Sequence, residues 1–171
     1  MDVFLQWLID RFESFYFTFV VRPYERAVHI RGGKYKRTCG PGFYFKAFGY
    51  DEVVKINIVS DAKNLLIQVV SDVTGKSYII GAVVKWRVRE DAVKNLILDV
   101  EDYENMLHNT CYGMIAQECR SIDMAKITEL EAASKTAIRR RLGRYGYDIE
   151  DLWITDISPV RVLRLVTGDG E

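Results

Sequence analysis

The sequence lacks long hydrophobic runs. No window offers the roughly 20 uninterrupted apolar residues that a membrane-spanning helix needs. Cysteine is scarce and odd in number: Cys39, Cys111 and Cys119. None of the spacings suits zinc, so the pattern argues against a disulfide framework and for a reducing compartment. Histidine is scarcer, with only His29 and His108. Net charge is +0, which leaves no general electrostatic pull toward nucleic acid or anionic lipid. The N-terminus has no basic leading region, and acids interrupt its apolar stretch, so no signal peptide is expected. No internal repeat, low-complexity segment or second domain stands out.

What is present is ordinary for a folded protein. A length of 171 residues, 49% of them hydrophobic and 28% charged, suits one domain with a proper core.

Residues 24–48 organise the rest. They read as strand, turn, corner, strand. Arg26, Val28 and Ile30 alternate with Ala27, His29 and Arg31. Gly32-Gly33 permits positive φ at little steric cost. Gly40-Pro41-Gly42 makes a stiffer corner. The aromatic run Phe43, Tyr44, Phe45 and Phe48 follows. Half of these rings are expected in the core. The rest face outward, at headgroup level if the chain lies on a membrane.

Residues 3–19 show helical periodicity. Phe4, Leu5, Leu8, Ile9, Phe12, Phe15, Tyr16 and Phe19 share one face. Gln6, Asp10, Arg11, Glu13, Ser14 and Thr18 share the other, and Trp7 and Phe17 lie off the stripe. Asp2 is placed to cap the start. Two readings are open: a helix in the membrane interface, or one packed on protein. The acidic polar face counts against the first, because interfacial helices usually carry Lys and Arg. The aromatic end, 15–19, also reads as a first strand.

Further along, Val54, Ile56 and Ile58 alternate as a half-buried strand. Residues 65–70 are continuously apolar and read as a central strand. Asp72-Val73-Thr74-Gly75 signals a turn. Residues 77–89 form the clearest strand, with Tyr78, Ile80, Ala82, Val84, Trp86 and Val88 on one face. Two strands around one short turn predict an antiparallel hairpin. Helices are expected over 91–98, capped by Asp91, over 102–120, and over 127–145. The second buries Leu107, Cys111, Met114, Ile115 and Cys119. The third buries Leu130, Ala133, Ala137, Ile138 and Leu142. Gly146 suits the left-handed position past its end. Ile149, Leu152, Ile154 and Ile157 mark a last strand, whose uneven spacing predicts a bulge.

Candidate chemistry is thin. His108 and Cys111 lie one helical turn apart, but Cys119 is about 16 Å from His108 along a helix axis. The three cannot hold one ion. A Cys–His catalytic pair needs an orienting group and an oxyanion site, and the sequence identifies neither. The basic clusters, Arg139-Arg140-Arg141 with Arg144 and Lys34-Lys36-Arg37, read as solvated faces. The glycines at 32, 33, 40 and 42 make no phosphate loop. No catalytic residue, metal ligand or cofactor is expected.

Several segments in order carry a family resemblance. Glu25-Arg26-Ala27-Val28, Arg31-Gly32, Gly40-Pro41-Gly42-Phe43, and Asp51 with Val54-Lys55-Ile56 resemble the opening of a Band 7 domain. This is the SPFH superfamily of stomatins, prohibitins and flotillins. Gly81-Ala82-Val83-Val84 with Trp86-Arg87-Val88 is similar to its long central strand. Asp102-Tyr103-Glu104 falls where its first long helix begins. Tyr145-Gly146 with Ile149, Leu152, Ile154, Asp156-Ile157 and Pro159 resembles its last strand.

The resemblance implies an α+β fold: a twisted antiparallel sheet of about five or six strands with two main helices on one side. The divisions expected are an amphipathic N-terminal helix at 1–21, the domain at 22–160 and a tail at 161–171. The implied function is a non-enzymatic, membrane-associated scaffold. It self-associates and organises or regulates membrane proteins, with membrane proteases and channels among the partners. It would sit peripherally or monotopically on the cytoplasmic face. Phe4, Leu5, Leu8, Ile9, Phe12, Phe15 and Tyr16 would bind membrane. Arg140, Arg144 and Trp153 would contact neighbouring subunits in a homo-oligomer. No nucleic-acid partner is implied. The sequence ends about a dozen residues after Pro159, without the family's Ala/Glu-rich coiled coil, so assembly by that route is not expected. The alternative function is a soluble structural or adaptor protein, a viral one included, that uses the same domain for protein contacts.

Overall fold

The structure is a computed structural model, and it describes residues 18–160. Among the described residues are eight strands and three α-helices. The strands are β1 (Thr18–Val21), β2 (Glu25–Arg31), β3 (Lys34–Cys39), β4 (Gly42–Phe45), β5 (Asp51–Asn57), β6 (Asp61–Ser71), β7 (Ser77–Val88) and β8 (Tyr147–Pro159). The helices are α1 (Val93–Asp99), α2 (Tyr103–Cys119) and α3 (Ile127–Leu142).

The α+β class stands, but the single sheet does not. The strands form three separate sheets, ordered β1-β4, β3-β2-β5 and β6-β7-β8. The corner at Gly40-Pro41 explains part of this. It turns the chain out of the β2–β3 hairpin, so β4 pairs with β1 instead of continuing the larger sheet. The chain divides into two compact units.

The first unit comprises 18–61, Trp86–Tyr103 and Gly143–Asp148. Its central strand is β2, which pairs antiparallel with β3 and with β5. Opposite β2, the β3 strand slips register after the His29–Arg37 pair, where Lys36 is the extra residue of a bulge. Simple alternation would bury only one face of β2, yet Ala27, Val28 and His29 are all buried. Both faces are covered: Phe19 and Val21 of β1 pack with Ala27 and Cys39, and α1 also packs against β2. Gly146 takes φ +94, and a Cβ there would sit 2.0 Å from the Cβ of Ala92. Glycine is therefore required twice over, by conformation and by close approach.

The second unit comprises Ala62–Lys85, Glu104–Leu142 and 149–160. The β6–β7 hairpin closes through Asp72, whose Oδ1 accepts from the N–H groups of Thr74 and Lys76 at 2.8 and 2.9 Å. Burial works against ionising Asp72. The Thr74 hydroxyl and these two N–H groups outweigh it and hold the carboxyl below its usual range. On α2, Leu107, Cys111, Ile115 and Cys119 are buried at four-residue spacing, one face of a helix. On α3, Leu130, Ser134, Ala137 and Ile138 do the same. Each fully buried leucine or isoleucine here contributes about 1.5–3 kcal/mol. Burial in β8 skips from Ile149 to Leu152, the break in alternation that the spacing predicts.

Four local expectations are corrected. The apolar stretch 65–70 is not central, because β6 lies at the edge of its sheet. Asp91 does not cap a helix: it lies inside the 3₁₀ turn Glu90–Ala92, and the residue before α1, Ala92, makes no side-chain cap. The third helix ends at Leu142 and passes into a 3₁₀ turn at Gly143–Tyr145. Thr18–Val21, counted with the N-terminal helix by the boundary at 21, is a strand held by β4.

Candidate functional site

The feature that sets the first unit apart is an outward aromatic face on β1 and β4. The antiparallel register pairs Thr18 with Phe45, Phe19 with Tyr44, and Val20 with Phe43. Directly opposed residues share a face. Phe19 and Tyr44 therefore turn inward together and stack with centroids 5.3 Å apart at 22°. Val20, Phe43 and Phe45 turn outward together, with exposures of 53%, 60% and 70%. Phe43 and Phe45 meet edge to face, centroids 5.5 Å apart at 89°. The loop after β4 adds Phe48 and Tyr50, which are also exposed. Isolated exposed apolar residues are common, but a contiguous patch of large ones marks an interaction surface.

A buried polar cluster braces this face from beneath. The ring of Phe19 lies edge-on to His29, 5.7 Å between centroids. The His29 Nε2 lies 2.8 Å from Oδ2 of Asp51, and both side chains are shut off from solvent. Arg31 Nη2 donates to the same Oδ2 at 2.7 Å, and Arg31 Nε to Oδ1. The Ala47 N–H donates to Oδ2 at 2.7 Å. Arg31's bond does most to hold the Asp51 carboxyl far below the usual carboxylate range. Burial opposes it, and Ala47 and His29 reinforce it. One carboxylate thus ties β2, β5 and the aromatic loop together. The cluster was hidden in the sequence because its members lie 20 residues apart. The signal that finds it is the pairing of Arg31 with Asp51 across β2 and β5.

The residues 19–164 match a model described as the SPFH domain / Band 7 family. The chain belongs to this family. No curated protein matches the chain. Band 7 proteins are in general membrane-associated and non-enzymatic. Among the described residues, no helix is long and apolar enough to cross a membrane.

The expected sites of this Band 7 chain fall as follows. Phe4, Leu5, Leu8, Ile9, Phe12, Phe15 and Tyr16 lie outside the described residues, and so does the helix assigned to them. Of the rings in the 43–48 run, Tyr44 is half-buried against the core while Phe43, Phe45 and Phe48 are exposed. Arg140 is exposed on α3 and lines a shallow groove with Glu118, Ala133 and Ala137. Trp153 is 41% exposed on β8. Arg144 belongs to the first unit, where it lies over the ring of Tyr145. It does not share a helical face with Arg140, because α3 has already ended.

His108 and Cys111 stand on α2 as the spacing requires. Burial pushes the Cys111 thiol up to about 12. Burial, aided by Glu118, pushes Cys119 up to about 11. Such thiols carry almost no thiolate at neutral pH. The ring of His108 meets Tyr112 edge-on, 6.2 Å between centroids. No set of three His, Cys, Asp or Glu side chains among the described residues is placed to hold a metal ion.

The second unit has its own exposed apolar surface, missed by reading 65–70 as central. On β6, Leu65 and Val70 are buried while Leu66, Ile67 and Val69 are 76%, 69% and 66% exposed. The other edge strand, β8, is engaged by α3. The Ile154 N–H donates to Glu131 at 2.8 Å, Arg139 Nε donates to the Ile149 carbonyl at 3.1 Å, and Lys135 pairs with Asp151 at 2.9 Å.

Proposed function

We propose that this Band 7 chain is a non-enzymatic scaffold that lies on a membrane surface, self-associates, and organises or regulates membrane proteins on the cytoplasmic face. The observation that carries the reading is the outward face of Val20, Phe43 and Phe45. Val20 of that face stands on β1, which directly follows residues 1–17, whose sequence repeats apolar residues at helical spacing. Covering a Val or Phe side chain fully is worth about 1.5–3 kcal/mol, so even half-covering these three is a useful contribution to a lipid contact. Phe4, Leu5, Leu8, Ile9, Phe12, Phe15 and Tyr16 are proposed to enter the same interface. Arg140, Arg144 and Trp153 are proposed as contacts between copies, with membrane proteases or channels as the partners gathered.

Liposome flotation of the full chain tests this. The wild type should float. Phe43→Ser with Phe45→Ser should reduce the floated fraction severalfold, and Phe12→Glu should do the same. A folded wild type that stays at the bottom with every lipid mixture would sink the membrane reading.

A second reading has its own support. The exposed Leu66, Ile67 and Val69 edge of β6 is a protein-contact surface that needs no lipid. A soluble adaptor would use it without floating.

A further inference from the structure

The overall charge balance conceals a strong local bias. Residues 18–50 hold seven basic side chains, Arg22, Arg26, Arg31, Lys34, Lys36, Arg37 and Lys46, against one acid, Glu25. This is also the stretch that carries Val20, Phe43, Phe45, Phe48 and Tyr50. Three of the seven are engaged internally. Arg26 pairs with Glu90 at 2.9 Å, Arg31 with Asp51, and Arg22 donates to the Tyr24 hydroxyl at 2.6 Å. Lys34, Lys36, Arg37 and Lys46 have no carboxylate partner among the described residues. The first two and Arg37 are exposed, and Lys46 is half-exposed.

Chain position and one backbone bond tie the lysines to the aromatic segment. Arg37 is the exception: it lies over the inward ring of Tyr44, 5.1 Å from its centroid, and so does not border the outward Phe43 and Phe45. Lys46 directly follows Phe45. The Gly32 N–H donates to the Tyr50 carbonyl at 2.8 Å, which sets the turn before Lys34 against an exposed aromatic. An exposed apolar face in the same unit as three lysines without carboxylate partners matches a bilayer whose headgroups carry negative charge.

We propose that this face selects anionic lipid, with Lys34, Lys36 and Lys46 supplying the selectivity and the aromatic residues the depth. The inference rests on the membrane reading above and adds the lipid class to it. Single-stranded RNA would also suit cations beside rings. It is disfavoured because Phe43 and Phe45 meet edge to face with Val20 beside them, which offers no parallel platform for bases.

The test is co-sedimentation of the full chain with vesicles of phosphatidylcholine alone and of phosphatidylcholine mixed with phosphatidylserine. The wild type should prefer the mixed vesicles, and added salt should erase the preference while leaving the weaker neutral binding nearly unchanged. Each lysine near the surface is worth about a fivefold change in partition. Lys34→Gln, Lys36→Gln and Lys46→Gln together should therefore cost about a hundredfold on mixed vesicles and little on neutral ones. Arg37 is left in place because it packs on Tyr44.

Equal binding of the wild type to both vesicles overturns the selectivity and leaves the membrane reading standing. Binding to neither overturns both. A folded triple variant that keeps the preference overturns the assignment to these lysines. Capture of single-stranded RNA without vesicle binding does so as well. If the triple variant fails to fold, the salt dependence of the wild type decides: a preference that salt does not weaken overturns the proposal.

Discussion

The imidazole of His29 and the carboxylate of Asp51 lie 2.8 Å apart with no solvent access to either side chain. Around that contact, Arg31 and the Ala47 N–H converge on the same carboxylate. The group is shared by β2, β5 and the loop that carries Phe48 and Tyr50. Replacing it by an amide removes the charge and sets an NH2 donor against donors that now share one carboxylate. Asp51→Asn should lower the melting temperature clearly and raise protease cleavage within 46–50, measured by thermal denaturation and limited proteolysis.

The pH dependence of that pair has a definite sign. Asp51 titrates lower in the folded chain than in the unfolded one. Its stabilising contribution is complete above the ordinary carboxylate value, about 4. It declines as pH falls below that value toward the lower folded one. The stability gap between wild type and Asp51→Asn should stay level from about pH 7 to 5 and narrow below about pH 4. A gap that widens on acidification would contradict the arrangement.

Gly146 and Gly33 make a matched comparison. Both have positive φ, +94 and +73, but only Gly146 has a neighbour where a Cβ would go. Gly33→Ala should cost about 1–2 kcal/mol from backbone conformation alone. Gly146→Ala should cost more, since the Ala92 methyl must also move. Urea denaturation of the two variants checks the order.

The thiols of Cys111 and Cys119 should resist alkylation in the folded chain at neutral pH and react fully once it is unfolded. Burial keeps them protonated, with values about 12 and about 11. Fast labelling of Cys111 below pH 8 would restore a Cys–His enzyme to consideration.

Ile67→Lys together with Val69→Lys should shift any oligomer toward smaller species while leaving the unfolding free energy within about 1 kcal/mol of wild type, because both side chains already face solvent. Size-exclusion chromatography with light scattering measures the shift.

Periodicity served well wherever burial was one-sided. Ile80, Ala82, Val84, Trp86 and Val88 face inward as the alternation of β7 predicts, and so do Leu107, Cys111 and Ile115 on α2. It failed where tertiary context decides. The stretch 65–70 looks central because its residues are apolar. Nothing within it records that one side of β6 has no neighbouring strand among the described residues. The single sheet that the resemblance implies gives way to local pairings: β2 pairs with β3 and β5, while β4 pairs with β1. Half of the aromatic run is expected in the core, but only Tyr44 packs there, while Phe43, Phe45 and Phe48 are exposed. The identity of the outward members depended on Phe43 standing opposite Val20, a register that sequence spacing does not reveal. Asp51 was noticed as part of a motif, but its partners His29 and Arg31 emerge only when β2 and β5 lie side by side.

One bond near the middle of β6 limits what that strand can do. The Leu66 N–H donates to the hydroxyl of Tyr112 on α2, so this rung of the outer edge is already occupied. A strand from another molecule laid along β6 would meet a gap in its ladder there. Runaway edge-to-edge growth into fibres is thereby checked, while contact through the side chains of Ile67 and Val69 stays open. The tyrosine works as a stopper on that edge.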